Sequence, residues 1–232
     1  EDGASAVSVV RFAVHEMEVS GLFLAGKGAH PNQSGDYELD ASIMNGSDGT
    51  GAGVACVTGA QCAIDLAERA RTETKTALLV GAGVRKAFPQ DESWLDQPHD
   101  YFRPLEDVSA HAKSTGLSTV GAAIVDVFGN CAAGTATGGV IGKIPGRVGD
   151  TPIVGAGTWA DKHIAVSCTG QGEFFIRAAA AKNVAARVEY GGAPLSEAVH
   201  ETINDVGALG GLGGIIAASA QLEGGQPDEG ED

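Results

Sequence analysis

Apolar side chains recur at helical spacing over residues 4–18, where Val7, Val10, Val14 and Met17 share one face. A loop rich in Gly, Pro and Asn follows over 21–35. Alternation over 37–44 and a run of small residues over 51–58 predict two strands. The spacing predicts a helix over 60–72, with its basic residues late, where the helix dipole favours them. A short buried strand is expected at 76–80.

Residues 88–118 break this rhythm. They hold Pro89, Pro98 and Pro104, many charges and few apolar runs, and they predict an exposed linker. Regular pattern resumes at Thr119. Strands are predicted over 119–125 and 130–136, joined as a hairpin through Phe128 and Gly129, and a third over 165–169. A long helix is predicted over 173–190, carrying Phe174, Ala178, Ala181, Ala185 and Val188 on one face. Ser196 is expected to cap a further helix and 213–219 to form a late strand. The tail from 223 is acidic. The order of elements predicts an α+β fold with antiparallel sheets, not the βαβ alternation of a parallel one.

Composition narrows the function. A chain of 232 residues with 43% hydrophobic and 19% charged positions supports a folded core. The 35 glycines argue for tight turns and against a helical bundle. A net charge of -15 disfavours binding to nucleic acid or to anionic membranes, since both need clustered Lys and Arg. Cys56, Cys62, Cys131 and Cys168 show neither a C-x-x-C pair nor zinc spacing, so a reducing, cytoplasmic setting is expected. The six histidines are scattered and offer no H-E-x-x-H metal motif. Leu78-Leu79-Val80-Gly81-Ala82-Gly83 opens like a dinucleotide fingerprint. Lys86 stands where the third glycine belongs, which leaves a strand-to-helix turn as the expectation.

The informative stretch runs from Thr119 to Glu173. It contains Thr119-Val120-Gly121-Ala122, Thr135-Ala136-Thr137-Gly138-Gly139 and Lys143-Ile144-Pro145-Gly146-Arg147-Val148-Gly149-Asp150. Ser167-Cys168-Thr169-Gly170-Gln171-Gly172-Glu173 closes it. Arg147 suits a carboxylate and Asp150 an ammonium, so together they could hold the charged ends of an α-amino acid. The same pair would equally serve as a salt bridge within the loop. Thr169 and Gly170 could present a hydroxyl and an N–H to one oxygen, as an oxyanion hole requires, or form an ordinary turn.

These motifs resemble the plant-type asparaginases and isoaspartyl aminopeptidases, a family of N-terminal nucleophile hydrolases. Gly21-Leu22-Phe23-Leu24-Ala25-Gly26-Lys27-Gly28 and Glu38-Leu39-Asp40-Ala41-Ser42-Ile43-Met44 extend the resemblance into the first half. It implies a four-layer αββα sandwich in which residues 1–118 form a large subunit and 119–232 a small one. It implies self-cleavage between Ser118 and Thr119, which frees an α-amine to act as base for the Thr119 hydroxyl. Thr137 would support the nucleophile. Arg147 would bind the substrate carboxylate, with Asp150 and the Gly172 carbonyl on its ammonium, and Thr169 and Gly170 would stabilise the oxyanion. The expected substrates are isoaspartyl (β-aspartyl) dipeptides and L-asparagine, with aspartate released; basic leaving groups, as in cyanophycin-derived dipeptides, are one candidate.

The resemblance implies no required cofactor. It implies a sodium ion on backbone carbonyls of Met17, Glu18, Ser20, Phe23, Ala25 and Lys27, and a homodimer of αβ units. The chain departs from the family at Leu24, where Asn is usual, and at Ser118, where Gly or Asp is usual. The family's first strand falls upstream of residue 1, so an earlier segment is expected. Two rival readings stay open: an unprocessed, weakly catalytic binding protein of the same fold, and a glycosylasparaginase-like enzyme.

Overall fold

A computed structural model describes residues 3–89, 96–104 and 119–220. The first helix, α1, spans Ala6–Ser20; the Ser5 hydroxyl accepts the Ser8 N–H at its start and Gly21, at φ 71°, ends it. The strands β1 (Glu38–Asn45) and β2 (Thr50–Thr58) pair antiparallel, and α2 (Ala63–Glu73) follows. Then come β3 (Leu78–Val80) and α3 (Ala82–Ala87). The second half contributes the hairpin β4 (Val120–Val125) and β5 (Cys131–Thr137), then β6 (Thr158–Ala160) and β7 (Ile164–Gly170). The helices α4 (Gly172–Ala178), α5 (Ala180–Glu189) and α6 (Leu195–Ala208) precede β8 (Gly213–Ser219).

The strands form two sheets, ordered β3-β2-β1-β5-β4 and β6-β7-β8. Every pair is antiparallel except β2 with β3. The result is the α+β arrangement expected, and α1 and α2 pack on the first sheet while α5 and α6 pack on β7 and β8. β1 is covered on both sides, so its alternation separates two interiors. Leu39, Ala41 and Ile43 join Val10, Val14, Ile64 and Leu66 in one apolar core. Asp40 and Ser42 lie on the opposite face, toward the second sheet. A second core of Ile164, Val166, Phe175 and Val184 lies between β7 and its helices.

Several sequence expectations shift. The 76–80 strand is an edge, with Leu78 and Val80 exposed, because it adds to β2 from outside. The Leu78–Gly83 run is the expected strand-to-helix turn, with Gly81 at φ 53°. The long helix is broken in two by Ala179, which sits in the left-handed region at φ 46°. The last helix starts at Leu195 with Pro194 as its cap, not Ser196. In the expected linker, Phe88 and Phe102 are buried against the first core. Its remaining stretches, 90–95 and 105–118, lie outside the described residues, as does Ser118. Among the described residues, no helix is long and apolar enough to cross a membrane.

Candidate active site

Thr119 stands at the mouth of β4, beside the end of β5. The antiparallel register pairs Val120 with Ala136, which sets Thr119 against Thr137. Their hydroxyls are 3.3 Å apart, with Thr119 donating. Thr137 also accepts the Gly139 N–H at 3.0 Å, so its second lone pair fixes the turn that follows. Leu24, where the family pattern has Asn, is buried, and its carbonyl accepts the Gly138 N–H at 2.8 Å. Its backbone therefore anchors the same turn even though its side chain carries no polar group.

Thr119 opens onto a cavity of about 360 Å³ lined by Ser167 and Thr169 of β7, Met17, Phe23 and Ile215 among others. The Thr169 hydroxyl is buried and, among the described residues, has no hydrogen-bond partner. An unused buried donor is costly unless a ligand or transition state employs it. Gly170 follows at φ 149°, and a β-carbon there would stand 2.4 Å from the Leu212 carbonyl oxygen. Only glycine lets the chain pass Leu212 and Gly213 so closely.

The loop between β5 and β6 brings Arg147 and Asp150 near the start of α4. Arg147 does not close a loop salt bridge with Asp150. Its Nε and Nη2 instead reach the two carboxylate oxygens of Glu173, at 2.9 and 3.0 Å. That guanidinium holds the Glu173 carboxyl below its ordinary range. Asp150 is 3% exposed, and its Oδ2 is buried without a partner among the described residues. Burial raises its pKa to about 7, against the opposing pull of Arg147. Gly172 packs against it: a β-carbon there would lie 2.7 Å from the Asp150 nitrogen and 2.8 Å from Oδ1. Asp150 thus offers an unused acceptor beside a guanidinium, a disposition suited to an ammonium and a carboxylate on one ligand.

Sequence reasoning missed what holds this loop. Glu38 of β1 ties it at two points: its backbone carbonyl accepts Lys143 Nζ at 2.7 Å, and its Oε1 accepts the Gly146 N–H at 2.9 Å. The Lys143 side chain is fully buried. A lysine inside the Lys-x-Pro-Gly-Arg motif was the available signal, since buried lysines are rare without partners. Next to it, Asp40 sits at a β-bulge, where Cys56 adopts φ 51° and gives its N–H to Asp40 Oδ1 at 2.8 Å. Burial raises the Asp40 pKa to about 6, with Lys143 opposing.

The expected cation loop runs from the end of α1 to the following 3-10 turn. Carbonyls of Met17, Ala25 and Lys27 accept bonds from Ser20 Oγ, Gly28 N and Arg103 N. The Glu18 and Phe23 carbonyls lie close against two glycines of this loop: β-carbons at Gly26 and Gly28 would stand 2.6 and 2.0 Å from them. The Glu18 side chain is engaged elsewhere, accepting the Ala63 and Ile64 N–H groups at 3.0 Å each. A separate group of metal-capable side chains, His15, Cys62 and Asp65, lies between α1 and α2. There both Asp65 oxygens are taken, by Arg11 and His15 at 2.6 Å.

A family profile described as asparaginase matches residues 1–103 and 87–229. An isoaspartyl peptidase of Salmonella typhimurium is 40% identical over 94% of this chain and 75% of its own. The isoaspartyl peptidase of Escherichia coli K12 is 38% identical, covering 94% and 74%. A probable isoaspartyl peptidase/L-asparaginase of Arabidopsis thaliana is 34% identical, covering 94% and 78%. At this identity over nearly the whole chain, and with the family profile spanning both halves, the chain belongs to the family of plant-type asparaginases and isoaspartyl peptidases.

Proposed function

We propose that this chain hydrolyses isoaspartyl dipeptides, and L-asparagine as a further substrate, releasing L-aspartate with Thr119 as nucleophile. The observation that carries the reading is that Thr119, bonded to Thr137, lines one cavity with a Thr169 hydroxyl that has no partner among the described residues.

Cleavage of the Ser118–Thr119 bond would leave residues 1–118 and 119–232 as two subunits of one domain. The arrangement fits a four-layer αββα sandwich, because helices cover the outer face of each sheet. The freed α-amine titrates near neutral pH and takes the Thr119 hydroxyl proton as Oγ1 attacks the side-chain carbonyl. The Thr169 hydroxyl and Gly170 N–H receive the oxyanion, and Arg147, Asp150 and the Gly172 carbonyl hold the α-carboxylate and α-ammonium. The proton passes to the leaving amine, and water then cleaves the acyl-enzyme ester. Carbonyls of Met17, Glu18, Ser20, Phe23, Ala25 and Lys27 would hold a structural sodium ion, since neutral oxygens suit a hard cation and a carbonyl that accepts one N–H or O–H keeps a second lone pair. A homodimer of αβ units in the cytoplasm completes the reading.

Intact mass and N-terminal sequencing test it. Two fragments, one beginning at Thr119, are expected, together with β-aspartyl dipeptide hydrolysis that Thr119→Ala abolishes. A single stable chain, or a Thr119→Ala protein that still hydrolyses, would overturn it.

A further inference from the structure

We infer that Ser167, floored by a chain of buried hydroxyls, is a positioning residue for the Thr119 centre and that Gly121 is its required counterpart. The inference rests on Thr119 being the nucleophile.

Thr119 and Gly121 lie two apart at β4, and Ser167 and Thr169 two apart on β7, so each pair shares a face. The two faces meet across the sheets and line the same cavity. A β-carbon at Gly121 would fall 2.0 Å from Ser167 Oγ. The serine hydroxyl therefore fills the space where residue 121 has no side chain. One step along, toward the surface, Thr119 and Thr169 bracket the reacting carbon in the proposed reaction. The Gly121–Ser167 contact sets how closely the two sheets approach there, and so the reach from nucleophile to oxyanion donor.

Behind Ser167 runs a buried chain. Ser167 Oγ is 2.7 Å from Thr135 Oγ1, which is 2.6 Å from Thr158 Oγ1, which is 2.7 Å from Ser42 Oγ. The chain is anchored on two carbonyls, Ser42 on that of Thr151 at 2.5 Å and Thr135 on that of Gly157 at 3.2 Å. Carbonyls only accept. Four hydroxyl protons thus serve five contacts, and all four are used within the chain only when Ser167 donates inward to Thr135. In that arrangement Ser167 Oγ faces the cavity as an acceptor. Held on carbonyls at Ser42 and at Thr135, with Ser167 at its cavity end, the chain fixes the position of the Ser167 hydroxyl.

The test compares Ser167→Ala, Gly121→Ala and the Gly121→Ala/Ser167→Gly double variant with wild type and Thr119→Ala, by cleaved fraction, kcat, KM and circular dichroism. Ser167→Ala leaves Thr135 bonded to Gly157 and is expected to fold normally, with kcat lowered about tenfold and KM little changed. Gly121→Ala is expected to block cleavage before Thr119, and the double variant to restore it, since removing the serine side chain removes the 2.0 Å clash and leaves only the Gly134 carbonyl oxygen, at 3.1 Å, to give by a few tenths of an ångström. Wild-type kinetics in Ser167→Ala together with a tolerated Gly121→Ala would overturn the inference. So would failure of the double variant to recover while its circular dichroism is native. Hydrolysis surviving in Thr119→Ala would instead sink the nucleophile reading.

Discussion

Arg147 and Glu173 meet as a two-pronged pair, with Nε and Nη2 of the arginine 2.9 and 3.0 Å from the two carboxylate oxygens. Glu173 is half exposed while Arg147 is largely covered. The glutamate therefore holds the guanidinium plane from the solvent side. This fixes the orientation in which a substrate carboxylate would meet it.

Arg147→Lys keeps the charge and loses the fork. Steady-state kinetics on a β-aspartyl dipeptide should show KM raised by roughly 10- to 100-fold, the worth of a charge-assisted bidentate contact. The kcat should fall far less. An equal fall in kcat with KM unchanged would place Arg147 in the chemical step instead.

Among the described residues the Thr169 hydroxyl has no partner, so its effects on stability and on activity can be separated. Thr169→Val removes an unsatisfied buried group at nearly constant shape, so Tm is expected to hold or rise. On purified, cleaved enzyme, kcat should drop on the order of 100- to 1000-fold, as for the loss of an oxyanion donor. Stability and activity thus move in opposite directions at one residue.

In the proposed role Asp150 would bind an ammonium only when ionised, and burial lifts its pKa to about 7. Affinity for the product L-aspartate should therefore rise with pH through about 7. Affinity for succinate, which lacks the ammonium, should not rise over that range. Isothermal titration from pH 5.5 to 8.5 reads both. Folding stability has the opposite sign. The native state keeps the Asp150 proton up to about 7 while the unfolded chain loses it near 3.8, so this group's contribution shrinks as pH rises between those values.

Glu18 accepts two N–H groups at the start of α2 from the last turn of α1, which joins the helices through one buried carboxyl. Glu18→Ala should cost about 2 kcal/mol in urea unfolding, in line with loss of a helix cap and its buried bonds. Burial also raises its pKa to about 8. Wild-type stability should consequently decline as pH climbs from about 4.5 toward 8, and Glu18→Gln should flatten that decline.

Much of the fold was legible because its signals are local. Hydrophobic period placed α1, β1, β2 and the β4–β5 hairpin within a few residues. The short β6 and the break at Ala179 left no such mark. Ala179 carries a left-handed turn in a residue that ordinarily continues a helix, and only packing at both ends of the break imposes it. Leu78 and Val80 read as buried by composition but form an edge, because what covers a strand is decided by its neighbours.

The sequence by itself determined the family and the candidate residues, since Thr119, Thr137, Arg147, Asp150, Thr169 and Gly170 sit in motifs readable without coordinates. It also carried both readings of Arg147 and Asp150, a loop salt bridge or a ligand clamp. Tertiary structure showed that Arg147 goes to Glu173 and that, among the described residues, an Asp150 oxygen has no partner, so the two are not bonded to each other as a loop salt bridge would have them. It alone revealed the Glu38 tether and the hydroxyl chain from Ser42 to Ser167. Those residues are separated by up to 125 positions, and nothing in a one-dimensional pattern marks which faces two sheets will press together.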